Sequence, residues 1–198
     1  MATLLDRAVR AYGVVVAWEQ VMGPVLQAAG SKWESSPERY IEVEHLLSWH
    51  VSTALRRSAT GTAPDTGAVV VLACVPGERH TLPLEALAAA LAEDGVRARM
   101  LGASVPMSAV ERAVRRSDPC AVALWSQTSV LAGFRAGRLA REPATPPEGH
   151  RGPLVLLGGP GWLASDPPPG TARPAGLREA LSLVLRASRP EGAYGRTT

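Results

Sequence analysis

The sequence predicts an α/β fold: a small helical bundle followed by a doubly wound parallel sheet. Three observations predict it. From Ala68 onward, short unbroken apolar runs alternate with helical patterns, as expected of buried parallel strands joined by right-handed helical crossovers. Before that point, apolar residues recur at three-four spacing, which specifies helices. Between the two lies a stretch rich in Ser, Thr, Gly, Ala and Pro, which reads as a linker. These signals divide the chain into a helical bundle over 1–57, a linker over 58–67, a sheet domain over 68–187 and a disordered tail over 188–198.

In the bundle, Leu4, Leu5, Ala8 and Val9 begin an amphipathic pattern that ends near Gly13. Val14, Ala17, Trp18, Val21, Met22, Val25 and Ala29 continue it, with a kink expected at Pro24. A third helix is expected from about Pro37 to Arg57, capped by Ser36 and opened by Pro37. On it Ile41, Glu44, His45, Ser48 and Ser52 share one side, and Val43, Leu47 and Ala54 the other. Strands are expected at 68–75, 97–101, 120–125 and 154–157, with a short edge strand at 171–173. Helices are expected at 83–94, 107–115, 129–141 and 175–187, and a Pro- and Gly-rich loop at 142–153.

A chain of 198 residues with 46% hydrophobic content suffices for one core, or one core with a satellite. The net charge is +3, and Lys32 is the single lysine among 21 basic residues. The arginines are spread along the chain, with no basic run of the nucleic-acid type. Cys74 and Cys120 each sit within an apolar run and read as buried free thiols, which fits a reducing cytoplasm. The start lacks the apolar core of a signal peptide, and no apolar stretch is long enough to span a membrane.

Three loops leave the carboxyl ends of strands expected to be neighbours, where open α/β sheets bind ligands. The first carries Gly77-Glu78-Arg79-His80, the third Ser126-Gln127-Thr128, the fourth Gly158-Gly159. Taken alone, His80 reads either as an ordinary loop histidine or as a metal ligand whose second nitrogen Glu78 orients. Trp33 reads as packing at a helix end or as a flat ligand surface. Glu44-His45 reads as a solvated face or a ligand face. Trp18, Trp49, Trp125 and Trp162 read as packing residues, and His50 and His150 as structural or exposed.

The segment from Val70 to Leu84, with Leu124-Trp125-Ser126 and Leu156-Leu157-Gly158-Gly159, resembles the cobalamin-binding domain. That family carries Asp-any-His-any-any-Gly, then a Ser or Thr loop, then Gly-Gly. Here Glu78 replaces the acid, and Pro83 stands where the family has glycine. Trp33 followed by Glu44-His45 resembles the Trp…Glu-His pattern in the helical bundle of cobalamin-dependent light-sensing regulators, with one extra residue of spacing. Glu34 follows Trp33 where some light sensors place a cobalt-ligating histidine. The resemblance spans roughly residues 4–187.

It implies a flavodoxin-like or Rossmann-like sheet that binds cobalamin base-off, with His80 as lower ligand to cobalt and Glu78 tuning it. Ser126, Thr128, Gly158 and Gly159 would line a slot for the detached tail, with Ser104 beside them. Trp33, Glu44 and His45 would cover the upper face. The implied function is a non-enzymatic photoreceptor using adenosylcobalamin, and related short photoreceptors hold a bilin as a second chromophore. The alternative is a corrinoid methyl carrier serving a methyltransferase. With no room for a DNA-binding domain, the output is expected to pass through a homo-oligomer or a protein partner, without direct nucleic-acid contact. Apolar faces at Leu4, Leu5, Val9, Val14 and Val21 are expected to be open for such an assembly.

Overall fold

The computed structural model describes residues 1–35, 37–60, 67–128, 152–163 and 166–189, with no side-chain description at residue 2 or over 33–40. Helix α1 spans Ala2–Ala17, a π-helical turn Trp18–Met22, α2 Gly23–Ser35 and α3 Pro37–Ala59. Gly13 breaks α1, with φ +76 and an extended ψ that only glycine adopts freely. The break frees the N–H of Val14, which donates to both carboxylate oxygens of Glu93 at 3.1 Å. The π turn lies just before Pro24, where the missing N–H interrupts the helical ladder.

The sheet half follows the expected alternation. Strand β1 spans Val69–Cys74, α4 Leu82–Glu93, β2 Arg97–Gly102, α5 Met107–Ser117, β3 Ala121–Trp125, β4 Leu154–Gly158, β5 Thr171–Ala172 and α6 Leu177–Ala187. The strand order is β2-β1-β3-β4-β5, all parallel. The loops after β1, β3 and β4 are therefore neighbours, as the sequence implied. The expected helix 129–141, most of the loop after it, His150 and the end of the tail lie outside the described residues.

Each strand is apolar on both sides because both sides are covered. Val70, Leu72, Cys74, Ala123 and Leu156 pack toward α4, α6 and the amino-terminal helices. Val71, Ala73, Val122, Leu124 and Leu157 pack with Val110 and Ala113 of α5 and with Trp162. The helical region docks on α4, through α1 and α3, as a continuation of the first core. Among the described residues no helix is long and apolar enough to cross a membrane.

Several expectations about faces are corrected. Leu5, Val9 and Val14 are not open: they are buried in the core against the chain's own helices. Leu4 and Val21 do remain exposed. Val43 does not share the core side with Leu47 and Ala54, and Trp49 is no packing residue but 71% exposed. Val51 and Leu55, both fully buried, carry the packing of α3 instead. Cys74 is buried and Cys120 half-buried, both free thiols. Burial, then the charges of Glu78 and Glu85, push the Cys74 thiol up to about 12, so it is protonated at neutral pH.

Candidate functional site

At the end of β1 the chain turns at Gly77, φ +84, and buries Glu78 to 4% exposure. The fold uses the whole carboxylate. Oε1 accepts from the His80 backbone N–H at 2.7 Å and faces the His80 ring Nδ1 at 2.6 Å. Oε2 accepts from the Gln127 backbone N–H at 2.6 Å, in the loop after β3. Burial alone would raise the Glu78 carboxyl. The N–H donors of His80 and Gln127, and then the His80 ring, outweigh it and hold the group below its ordinary value. A charged Glu78 takes the proton-bearing Nδ1 of His80, which leaves Nε2 as the ring's lone-pair donor. The His80 side chain is 65% exposed, so the ring stands outside the core.

Ser104 locks the same loop from the side of β2. Its N–H donates to the Glu78 carbonyl at 2.7 Å and its hydroxyl accepts from Gly77 N–H at 2.9 Å. This holds Ser104 at φ +49, a region disfavoured for a residue with a side chain. Ser126 is 2% exposed and donates its hydroxyl to the Thr128 carbonyl at 2.8 Å. Its own N–H donates to Gly158 and its carbonyl accepts from Gly161 N–H. Thr128 is exposed.

The glycines serve a purpose the sequence did not reveal. A Cβ on Gly159 would collide with the Ser126 carbonyl, and φ there is +98. A Cβ on Gly161 would collide with the Thr128 carbonyl. The first duty of both is to let the loops after β3 and β4 close on each other. Gly158 lies against the Trp125 ring, so close that a Cβ added there would stand 3.0 Å from a ring carbon. The Trp125 indole N–H is buried with no hydrogen-bond partner among the described residues. A buried donor of this kind costs free energy until something accepts from it.

Above the sheet edge, α3 is oriented by Glu85, a buried carboxylate in the first turn of α4. Ser52 donates to it at 2.6 Å, and Arg56 grips it through Nε at 3.1 Å and a terminal nitrogen at 2.9 Å. Farther along, Ala59 and Thr60 line one groove with Ala88 and Ala92. Helices α3 and α4 therefore run side by side in the same direction. The turns of α3 before Ser52 extend past the start of α4, beyond the carboxyl edge of the sheet. Ser48, Glu44 with His45, and Ile41 follow on the face of Ser52, with Glu44 about 12 Å along the axis. Their polar partners are intrahelical. Ser48 donates to Glu44 at 2.8 Å, and the His45 Nδ1 lies 2.8 Å from both Glu44 and the Ile41 carbonyl. Ile41 and His45 are exposed and Glu44 is partly so. The Trp33 side chain lies outside the description.

The structure thus brings together Glu78, His80, Ser104, Ser126, Gly158 and Gly159, and sets the Glu44-His45 face of α3 beyond their edge. Sequence reasoning missed Gln127, whose contribution is a backbone N–H, and Gly161. It also missed Glu85, whose one signal was a charge inside the apolar run Leu82–Leu91. The α3–α4 groove, about 640 Å³, opens beside Val96 and Arg97 at the start of β2, away from His80. Among the described residues no three His, Cys, Asp or Glu side chains converge on one point. His80 is a single donor, suited to a metal already held in the plane of a ring. An outward Nε2 and an unsatisfied Trp125 N–H beside the glycine loop fit a ring-bound metal with a polar appendage.

Comparison with known proteins agrees. Residues 68–165 match the B12 binding domain family. The HTH-type transcriptional repressor CarH of Myxococcus xanthus is 32% identical over 124 residues, covering 63% of this chain and 41% of that protein. The chain thus spans less than half the length of this relative. In fold, the chain is similar to the monomethylamine corrinoid protein of Methanosarcina barkeri, with TM-score 0.60, 16% identity and coverage of 91% and 88%. It is also similar to the methanol:cobalamin methyltransferase complex of the same organism, with TM-score 0.50, 12% identity and coverage of 94% and 77%. These structural likenesses are of fold alone. With the family match and the sheet-edge geometry in agreement, residues 68–165 of this chain are a B12-binding domain, preceded by a helical region.

Proposed function

We propose that the chain is a cobalamin-dependent light sensor that holds adenosylcobalamin between the carboxyl edge of its sheet and the face of α3. The observation that carries this reading is the placement of Ile41, Glu44, His45 and Ser48 beyond that edge, on the side fixed by the Ser52–Glu85 contact. A partly polar, exposed helix face there serves as a cover for a bound group. The similarity to a transcriptional repressor supports a regulatory role. A methyl carrier needs its upper face open to a methyltransferase.

In this reading His80 Nε2 would hold the metal, with Glu78 keeping the Nδ1 proton and the ring plane fixed. Trp125 N–H and the backbone around Ser126 and Gly159 receive the detached tail, with Ser104 bracing the histidine loop. Glu44 and His45 face the upper side. The group, when bound, supplies a cobalt–carbon bond that light can break. Residues of the chain exclude water from it and register the loss of the upper group as a change in what α3 packs against. The output passes through a second copy or a protein partner. Leu46 and Trp49, exposed on α3, Val25 on α2 and Val21 on the π turn before it are apolar surface available for that contact. No described residue is assigned to a bilin.

The test is the absorption spectrum of the purified protein with adenosylcobalamin, before and after green light, alongside gel filtration. A base-off, histidine-ligated spectrum that light converts irreversibly, together with a change in assembly, is expected. A spectrum that binds cobalamin and ignores light, or that turns over methyl groups with a methyltransferase, overturns the sensor in favour of the carrier.

A further inference from the structure

We propose that Glu85 is a positioning residue that transmits the placement of α3 to the His80 segment; this rests on the reading of His80 as the cobalt ligand. Three carboxylate contacts join the helical region to the sheet half among the described residues. Glu93 receives the Val14 N–H at the break in α1. Glu19 receives the Arg178 N–H and pairs with its guanidinium. Glu85 receives Ser52 and Arg56. The first two are far from His80 in the chain and bind helix ends. Glu85 alone also touches the neighbour of His80: the Thr81 hydroxyl donates to Oε1 at 3.1 Å.

The carboxylate is used to capacity. Oε1 takes Arg56 and Thr81, and Oε2 takes Ser52 and Arg56. Glu85 is 6% exposed in a helix whose other inward residues are Leu and Ala. An apolar side chain would pack there, and a buried ion pair is a poor way to gain stability. What the carboxylate adds is geometry: it fixes Thr81 relative to two residues one turn apart on α3. His80 is held from three directions. Glu78 holds its ring and N–H. Cys74 Sγ donates to its carbonyl at 3.6 Å. The Thr81–Glu85 link is the one that leads to α3. Ser52 continues the face of Ser48, Glu44 and Ile41, so a shift of that face is felt first at Ser52 and Arg56. The coupling is reciprocal: ligation at His80 biases the stance of α3, and the stance of α3 biases ligation.

The experiment uses the full chain in two arms. In the first, without cofactor, amide hydrogen exchange is followed in wild type, Glu85→Gln, Arg56→Ala and Glu93→Gln. Loss of the link is expected to raise exchange of the His80 N–H, the hydrogen-bonded amide of the 79–82 segment, by about tenfold in the Glu85 and Arg56 variants, a local opening. Glu93→Gln should raise exchange near Val14 and leave 79–82 alone. Arg56 is an exposed side chain, so its variant keeps the test alive should Glu85→Gln fold poorly. In the second arm, hydroxocobalamin is titrated into wild type, both single variants and the double variant. The singles should weaken histidine-ligated binding about three- to tenfold, with the Arg56 effect lost in the Glu85→Gln background, as for residues in one network. Unchanged exchange at 79–82, an equal rise from Glu93→Gln, or additive effects in the double variant overturns the proposal. A chain that binds no hydroxocobalamin overturns the cofactor reading instead, while the first arm still decides whether Glu85 couples α3 to the His80 segment.

Discussion

The loops at the carboxyl edge of the sheet and the helix face beyond them are built by opposite rules. In the loops, the buried polar side chains serve the fold. Glu78 joins the loops after β1 and β3, Ser104 braces the first of these from the end of β2, and Ser126 and Gly161 tie the loops after β3 and β4 together. On α3 from Ile41 to Ser48, the polar groups satisfy one another within the helix and the apolar Ile41 is left exposed. Removing a loop contact should therefore damage the protein itself. Removing a side chain from the α3 face should damage its response alone. A preformed lower half and an uncommitted upper half suit a device whose lower ligand is permanent and whose upper environment changes.

The largest effect should come from the residue proposed to hold the metal. His80→Ala is expected to abolish histidine-ligated cobalamin binding and weaken affinity by at least about 10–100-fold, the range seen when even a ligand's supporting partner is lost. The ring is exposed but bonds the buried Glu78 carboxylate, so stability of the unliganded chain should fall by about 1 kcal/mol, the net worth of that hydrogen bond. The absorption spectrum of the variant decides it. A wild-type spectrum would show that another group ligates the metal and that the Glu78–His80 pair is structural.

Gly159→Ala tests the rule for the loops. A methyl there meets the Ser126 carbonyl at a positive φ, so destabilisation of about 1–3 kcal/mol is expected, beyond any loss of cobalamin affinity. Thermal melting of the unliganded chain is the measurement. Unchanged melting with weakened cobalamin binding would assign the glycine to the ligand rather than to loop closure, and would erase half of the contrast drawn above.

The lower half also predicts an acid limb. For Glu85, burial would raise the carboxyl, but Arg56 and Ser52 bonds, the Arg56 charge and Thr81 outweigh it and lower it. A depressed folded value means that its contribution is fully present above the ordinary carboxylate value and is lost as pH falls through the folded one. Stability should be flat from about pH 7 to about pH 5 and fall below about pH 4.5, and Glu85→Gln should shallow that fall. A melting-temperature profile equally steep in the variant would show that Glu85 gains nothing from its partners on folding.

The same contrast explains what was legible in the sequence. Runs such as Val69–Cys74 and Ala121–Trp125 are buried from both sides, so composition alone marks them, and observed bounds fall within about a residue of expectation. Parallel order then makes neighbours of the loops carrying His80, Ser126 and Gly159. On the helices, periodicity shows which residues share a face but not what that face meets. Leu5, Val9 and Val14 were expected to be open and lie in the core, while Trp49 was expected to pack and lies outside. Glu85 was illegible for the same reason: an acid in a first turn reads as a favourable helix start, and its partners lie 29 and 33 residues away.

The smallest effect on the fold should come from the upper face, and it carries the most about function. His45 is exposed, and among the described residues its ring pairs with Glu44 and the Ile41 carbonyl in its own helix. Exposed pairs of this kind contribute about 0–1 kcal/mol. His45→Ala should therefore leave melting and dark cobalamin affinity nearly unchanged, while the rate or products of photolysis, or the assembly after light, should differ from wild type. The comparison that matters is between this variant and Thr53→Ala. Thr53 sits on the same helix and bonds the Trp49 carbonyl, but it falls off the face shared by Ser52 and Ser48. If both variants respond to light as wild type does, the Ile41–Ser48 face is ordinary solvated surface. If only the His45 variant departs, the exposed stretch of α3 is the part of the molecule that registers the cofactor's upper side.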